Sequence, residues 1–189
     1  MGDSVLLKDV KTIKNKNVDI TKLIHNNKVI WGSNVYIAKD SDFVKINNYW
    51  IYKGSELEVE IPEYINGTLV TNCIYMFSGH GTYNATPVTK VILRHDNVTN
   101  MAYMFYRSSA STLDLSSFNT SNVINMAYML QESSASTLDL SSFNTSNVIN
   151  MAYMFYRSSA IKGYARTLAD AQKFNASSDK PTRLKFVVK

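Results

Sequence analysis

Residues 101–125 read MAYMFYRSSASTLDLSSFNTSNVIN and residues 126–150 read MAYMLQESSASTLDLSSFNTSNVIN; the two differ at three positions. A third copy opens at Met151 and follows the first through Ala160. A looser earlier copy shows in CIYMF at 73–77 and DNVTN at 96–100, where GHGTYNATP stretches the period to 28. Self-similarity at a fixed period of this size marks stacked units, each burying its apolar side only against a neighbour. Within STLDLSS, alternation turns Leu113 and Leu115 inward and leaves Thr112, Asp114 and Ser116 on an open sheet face. The following NVINMAYML spaces Val123, Met126, Met129 and Leu130 as one face of a short helix, which Asn122 or Asn125 would cap.

A 25-residue period with a short Leu-x-Leu strand predicts an α/β repeat fold. The expectation is a short leucine-rich-repeat-like solenoid of parallel strands and short helices, preceded by a small β-rich N-terminal region. The ladders Met101/Met126/Met151 and Leu113/Leu138, with Leu115, Leu140, Phe118, Phe143 and Met129, form its core. Arg107 becomes Glu132 and returns as Arg157, so stacked copies alternate in sign and avoid a column of like charge. Three parts are expected: 1–52 a β-hairpin region, 53–160 the solenoid, and 161–189 a C-terminal capping unit. TKLIHNNKVIWG and FVKINNYWIYKG alternate around Asn-Asn pairs and read as hairpins, and LEVEIP as a strand closed by Pro62. RTLADAQKF reads as a helix with Thr167 as N-cap and Asp170 in the capping-box position, followed by a strand in RLKFVV.

Charge and special residues narrow the chemistry. Of the net +5, residues 1–100 carry +1, 101–160 carry −1 and the last 29 carry +5. That basic end reads as a solvated cap, and nucleic acid is a disfavoured partner. Cys73 sits alone in an apolar run, so it reads as a buried small hydrophobe and supports neither a disulfide nor a cysteine-held zinc. His25, His80 and His95 lack metal-ligand spacing, and no phosphate-cradling loop or nucleophile elbow is present. The expectation is therefore no enzyme, no metal and no cofactor. No stretch approaches a membrane span, and MGDSVLLKDVKTIKNKN lacks the apolar core of a secretory signal. The chain as given is expected in a virion or the cytoplasm, or at the cell surface if a leader was trimmed.

MAYMFYRSSASTLDLSSFNTSNVINM resembles the repeat of BspA-like and DUF285 bacterial surface proteins. YKGSELEVEIPEYINGTLVTN is similar to the entry segment of such arrays, and GYARTLADAQKFN to their closing unit. The opening NVDITKLIHNNKVIWG resembles hairpins that begin phage tail proteins. The resemblance implies a non-catalytic binding or scaffolding protein, phage tail- or prophage-associated or host-surface-binding. Alternatives are a bacterial cell-surface adhesin fragment and a small phage-encoded inhibitor of a host protein. A protein or a cell-surface carbohydrate is the implied partner, and the residues leave oligomeric state open. Stacking predicts a central column Ile92, Asp114, Asp139, Tyr164, flanked by Lys90, Thr112, Thr137, Lys162 and by Arg94, Ser116, Ser141, Arg166. Thr112, Asp114, Thr137, Asp139 and Tyr164 are the candidate binding residues, suited to accept from sugar hydroxyls or a basic partner. Tyr103, Tyr128 and Tyr153 on the other side of the coil stand next in line.

Overall fold

A computed structural model describes residues 36–189, together with the strands β1 (Lys22–His25) and β2 (Lys28–Gly32). Those two pair antiparallel, as the Asn26–Asn27 turn predicts, and belong to a unit of residues 1–36 distinct from residues 37–189. The second unit is a parallel-strand β-solenoid of about six turns with one short helix. Its strands are β3 (Tyr36–Ile37), β4 (Phe43–Ile46), β5 (Tyr49–Tyr52), β6 (Glu58–Glu60), β7 (Tyr64–Ile65), β8 (Thr68–Leu69), β9 (Lys90–Leu93), β10 (Leu113–Phe118), β11 (Thr137–Leu140), β12 (Lys162–Ala165) and β13 (Lys185–Val188). The parallel run is β6-β9-β10-β11-β12-β13. β4–β5 and β7–β8 are hairpins, turned by Asn47 and Asn48 and by Asn66 and Gly67, all at positive φ. Such φ values are the requirement of two-residue hairpin loops.

The repeat register is as the sequence predicts, with Leu113 opposite Leu138 and Asp114 opposite Asp139. Leu113, Leu115, Leu138, Leu140, Phe118, Phe143, Met126 and Met129 are all buried, and Phe118 stacks on Phe143 at 5.6 Å. Gly163 takes the inward position after Leu138, and the Phe186 ring from β13 fills the space a side chain there would need. The helix α1 (Leu168–Asn175) opens at Thr167, whose hydroxyl accepts from the Asp170 N–H at 3.1 Å. The Asp170 carboxylate does not close the expected box on the Thr167 backbone. It accepts instead from the Thr167 hydroxyl and from both the N–H and hydroxyl of Thr145, tying cap to solenoid.

Two expectations change. NVINMAYML forms no helix: Met101–Ser108, Met126–Ser133 and Met151–Ser158 are successions of tight turns. In the first of them Met104, Tyr106 and Ser108 each donate to the carbonyl three residues back. The turns hold Tyr103, Tyr128 and Tyr153 at φ +57 to +61 and Arg107, Glu132 and Arg157 at φ +53 to +55, a region L-residues seldom enter. What holds them there is a second ladder. Met101, Tyr103, Phe105 and Arg107 donate to carbonyls of Asn125, Ala127, Met129 and Gln131 at 2.9–3.0 Å, and the next coil repeats the pattern. A helix would turn these N–H groups back on their own coil. Asn125 Oδ1 accordingly accepts from the Ala127 N–H, two residues on, and Asn122 donates to the Asp96 carbonyl rather than capping.

The second change is Ile92. It is buried and pairs with Ser117, while Lys90 stands opposite Asp114. β10 carries one more residue between Asp114 and Phe118 than β9 does between Lys90 and Leu93, the signature of a bulge. β9 thus pairs two residues further along β10 than expected before the bulge and three after it, so every β9 residue leaves its expected column.

Candidate functional site

Each coil has two long surfaces, a sheet face and a turn face. On the sheet face Asp114, Asp139 and Tyr164 align in consecutive strands, and Thr137 stands opposite Lys162. Thr112, Asp114, Thr137 and Asp139 line one groove of about 580 Å3 with Lys90 and Lys189; Tyr164 lies outside that lining. Both carboxylates already have partners. Asp114 accepts from the N–H and hydroxyl of Ser116 at 2.9 and 2.6 Å and faces Lys90 at 3.7 Å. Asp139 accepts from both groups of Ser141 and is ion-paired with Lys189. Partial burial opposes ionisation of each, but the serine hydrogen bonds and the lysines outweigh it and hold both below the usual carboxylate range. Tyr164 carries Lys162 over its ring at 4.8 Å and Lys189 at 5.8 Å.

The turn face is built differently. Tyr83, Tyr75, Tyr103, Tyr128 and Tyr153 stack in one column, with centroid spacings of 4.1, 4.8, 4.5 and 5.1 Å. Left-handed φ at Tyr75, Tyr103, Tyr128 and Tyr153 aims each ring off the same point of its coil, so coil stacking becomes ring stacking. Tyr49 packs edge-on against Tyr75 and Tyr83 at one end. Tyr106 and Tyr156 stand edge-on to Tyr103 and Tyr153, each beneath a guanidinium, from Arg107 and Arg157. Burial first, then the neighbouring phenols, push the Tyr75 hydroxyl up to about 12, and Tyr103 moves the same way. Tyr75 and Tyr103 therefore stay neutral phenols at ordinary pH.

Elsewhere, Cys73 is fully buried and burial pushes its thiol up to about 12, which leaves it inert. No group of three or more metal-binding side chains occurs among the described residues, and no helix among them is long and apolar enough to cross a membrane. With the strand ladder, turn ladder and ring column in place, one family matches: the Mycoplasma proteins of unknown function DUF285, over residues 71–179. The chain belongs to this family. The DUF285 match covers the coils from Thr71 through α1, both faces included. Neither the curated proteins nor the solved structures contain a match to the chain. Sequence reasoning ranked the sheet face first; CIYMF against MAYMF already set Tyr75 beside Tyr103, whereas Tyr83, in the inserted GHGTYNATP, has no counterpart in the repeat.

Proposed function

We propose that the chain is a non-catalytic binding or scaffolding protein that meets its partner along the tyrosine strip. The observation that carries this reading is the five-ring column, whose faces cover one another and whose members all stay at least partly exposed. Tyrosine offers large, stiff contact area at low entropic cost, and ring edges and phenols suit oxygen-rich or apolar surfaces alike. A surface protein or a cell-surface carbohydrate is the fitting partner, in the setting of a phage tail or prophage product that engages a host. An adhesin fragment and an intracellular inhibitor would use the same strip. The groove lined by Thr112, Asp114, Thr137 and Asp139 is the second reading, favoured only by its volume, since its carboxylates are already engaged.

The test is retention on immobilised host-envelope material, with protease and glycosidase treatment to tell protein from sugar. A folded Tyr103→Ser, Tyr128→Ser variant should lose about tenfold or more in affinity, roughly 1.4 kcal/mol. Asp114→Asn, Asp139→Asn should bind as the parent does. Undiminished binding by the serine variant sinks the strip; loss in the asparagine variant moves the site to the groove.

A further inference from the structure

The turn ladder stops at Met151–Arg157 with its next partner missing. Met126, Tyr128, Leu130 and Glu132 donate their N–H groups to Asn150, Ala152, Met154 and Tyr156. The equivalent N–H groups of Met151, Tyr153, Phe155 and Arg157 find no acceptor among the described residues. Side chains at repeated positions open at the same place. Met101 and Met126 are fully buried whereas Met151 is partly open; Ala102 and Ala127 are buried whereas Ala152 is exposed. Ile124 is 46% exposed and Ile149 is 86% exposed. Tyr128 is stacked on both faces, while Tyr153 has a tyrosine on one face only. Arg107 is paired with Glu132 at 2.8 Å, yet Arg157 meets no carboxylate among the described residues. A cleft of about 340 Å3 runs beside this coil, between Ile149, Met151 and Ala152 and the Lys173 end of α1.

We propose that this end is a docking site for an acidic, aromatic-bearing segment of a partner protein, which adds as one more coil. Its alternate carbonyls accept from Met151 and Tyr153, its ring extends the column on Tyr153, and its carboxylate pairs with Arg157. Segments that extend an open ladder in this way draw affinity from the main chain and specificity from alternate side chains. Charge favours a carboxylate opposite Arg157, because its counterpart Arg107 is paired with Glu132 one coil on while Arg157 meets no carboxylate among the described residues. A second copy of the chain fits poorly. Like ends would set donors against donors and Arg157 against Arg157. The opposite end of the column is closed by Tyr49 and Tyr83, and Tyr52 already donates to the Met76 carbonyl there. The inference shares only Tyr153 with the strip reading and needs only the last coil.

Residues 125–133, NMAYMLQES, carry the required carbonyls, ring and carboxylate, so a fluorescein-labelled peptide of that sequence is the probe. Titrated with the full chain, it should bind saturably and slow hydrogen exchange at the Met151 and Tyr153 amides. Arg157→Glu should weaken it about tenfold or more. The same variant should prefer a peptide with arginine in place of the glutamate. Glu132 already occupies that backbone position at φ +54, so the variant is built to fold. Absence of both binding and amide protection at about 1 mM peptide, a concentration that populates contacts as weak as about 4 kcal/mol, overturns the proposal. So does binding indifferent to Arg157→Glu. Dimerisation by sedimentation that protects the Tyr153 amide would assign the end to a second copy and overturn it as well. Tyr103→Ser, Tyr128→Ser should leave peptide binding intact while losing envelope binding, which separates the two readings.

Discussion

The sheet face and the turn face are made from the same repeated coils, yet on one the repeated side chains take counter-ions and on the other they stack on one another. On the sheet face each repeated aspartate is answered by a lysine from outside the two near-identical copies, Lys90 before them and Lys189 after them. The duplication placed two like charges on adjacent strands, and the flanking segments neutralise them. On the turn face the duplication placed like with like again, but the group repeated is a phenol ring, and rings stack. Repetition of a charge demands a counter-ion; repetition of an aromatic satisfies itself and leaves its edge for other uses.

The comparison breaks first at the shared core. Leu138 beneath the sheet face and Met129 beneath the turn face are both fully buried. Truncation of either to alanine should cost about 2–5 kcal/mol in denaturant unfolding. A cost under about 1 kcal/mol at Met129 would show the turn face to be a loose flap rather than half of the core. Next in size, Gly163→Ala should cost about 1–3 kcal/mol, because the added methyl overlaps the Phe186 ring. If thermal melting is unchanged, β13 does not close the array as described.

Acid should sharpen the contrast between the faces. In the folded chain Asp114, Asp139 and Asp170 are held below the usual carboxylate range, and for each the hydrogen bonds overcome an opposing burial effect. A depressed folded pKa contributes stability that is present above the unfolded value and lost as pH falls through the folded one. Stability should therefore hold down to about pH 5 and decline below about pH 4. The Asp114→Asn, Asp139→Asn variant should show a shallower decline, with the Asp170 share remaining. An unchanged acid limb would mean the sheet-face pairs contribute nothing in solution. The smallest effect belongs to the turn backbone. Arg157 is exposed at φ +53, so Arg157→Gly should gain up to about 1 kcal/mol while Arg157→Val should lose about 1–2 kcal/mol. Equal melting of the two variants would deny the left-handed turn.

The sheet side was legible because period-two alternation in STLDLSS allows one register only, the one observed. The turn side misled. Val123, Met126, Met129 and Leu130 are all buried, as a helix would bury them, but a run of tight turns buries the same residues. Spacing does not separate the two when the deciding fact is a positive φ on tyrosine, which carries no sequence signal. The Ile92 column failed for a different reason. Counting across the irregular junction between the loose copy and the first repeat misplaced β9 by two residues, and a one-residue bulge in β10 made it three at Ile92. Of the candidate site, Tyr103, Tyr128 and Tyr153 could be read from the repeat and Tyr75 from the looser copy before it, whereas Tyr49 and Tyr83 needed the coordinates.

The turn ladder has an electrical consequence. In the peptide unit joining Asn125 to Met126, the carbonyl points back to Met101 and the N–H forward to Asn150. The units joining Ala127 to Tyr128 and Met129 to Leu130 point the same way, as do their equivalents in the coil before. Dipoles of about 3.5 D thus add along the solenoid axis as they do along an α-helix, where ordinary sheets largely cancel theirs. The molecule carries a built-in field with its positive pole at Met151–Arg157, on the side that also holds the basic residues of the last coil and cap. An anionic partner would be turned toward that pole before contact. Its association rate should fall steeply with ionic strength while its dissociation rate stays nearly constant.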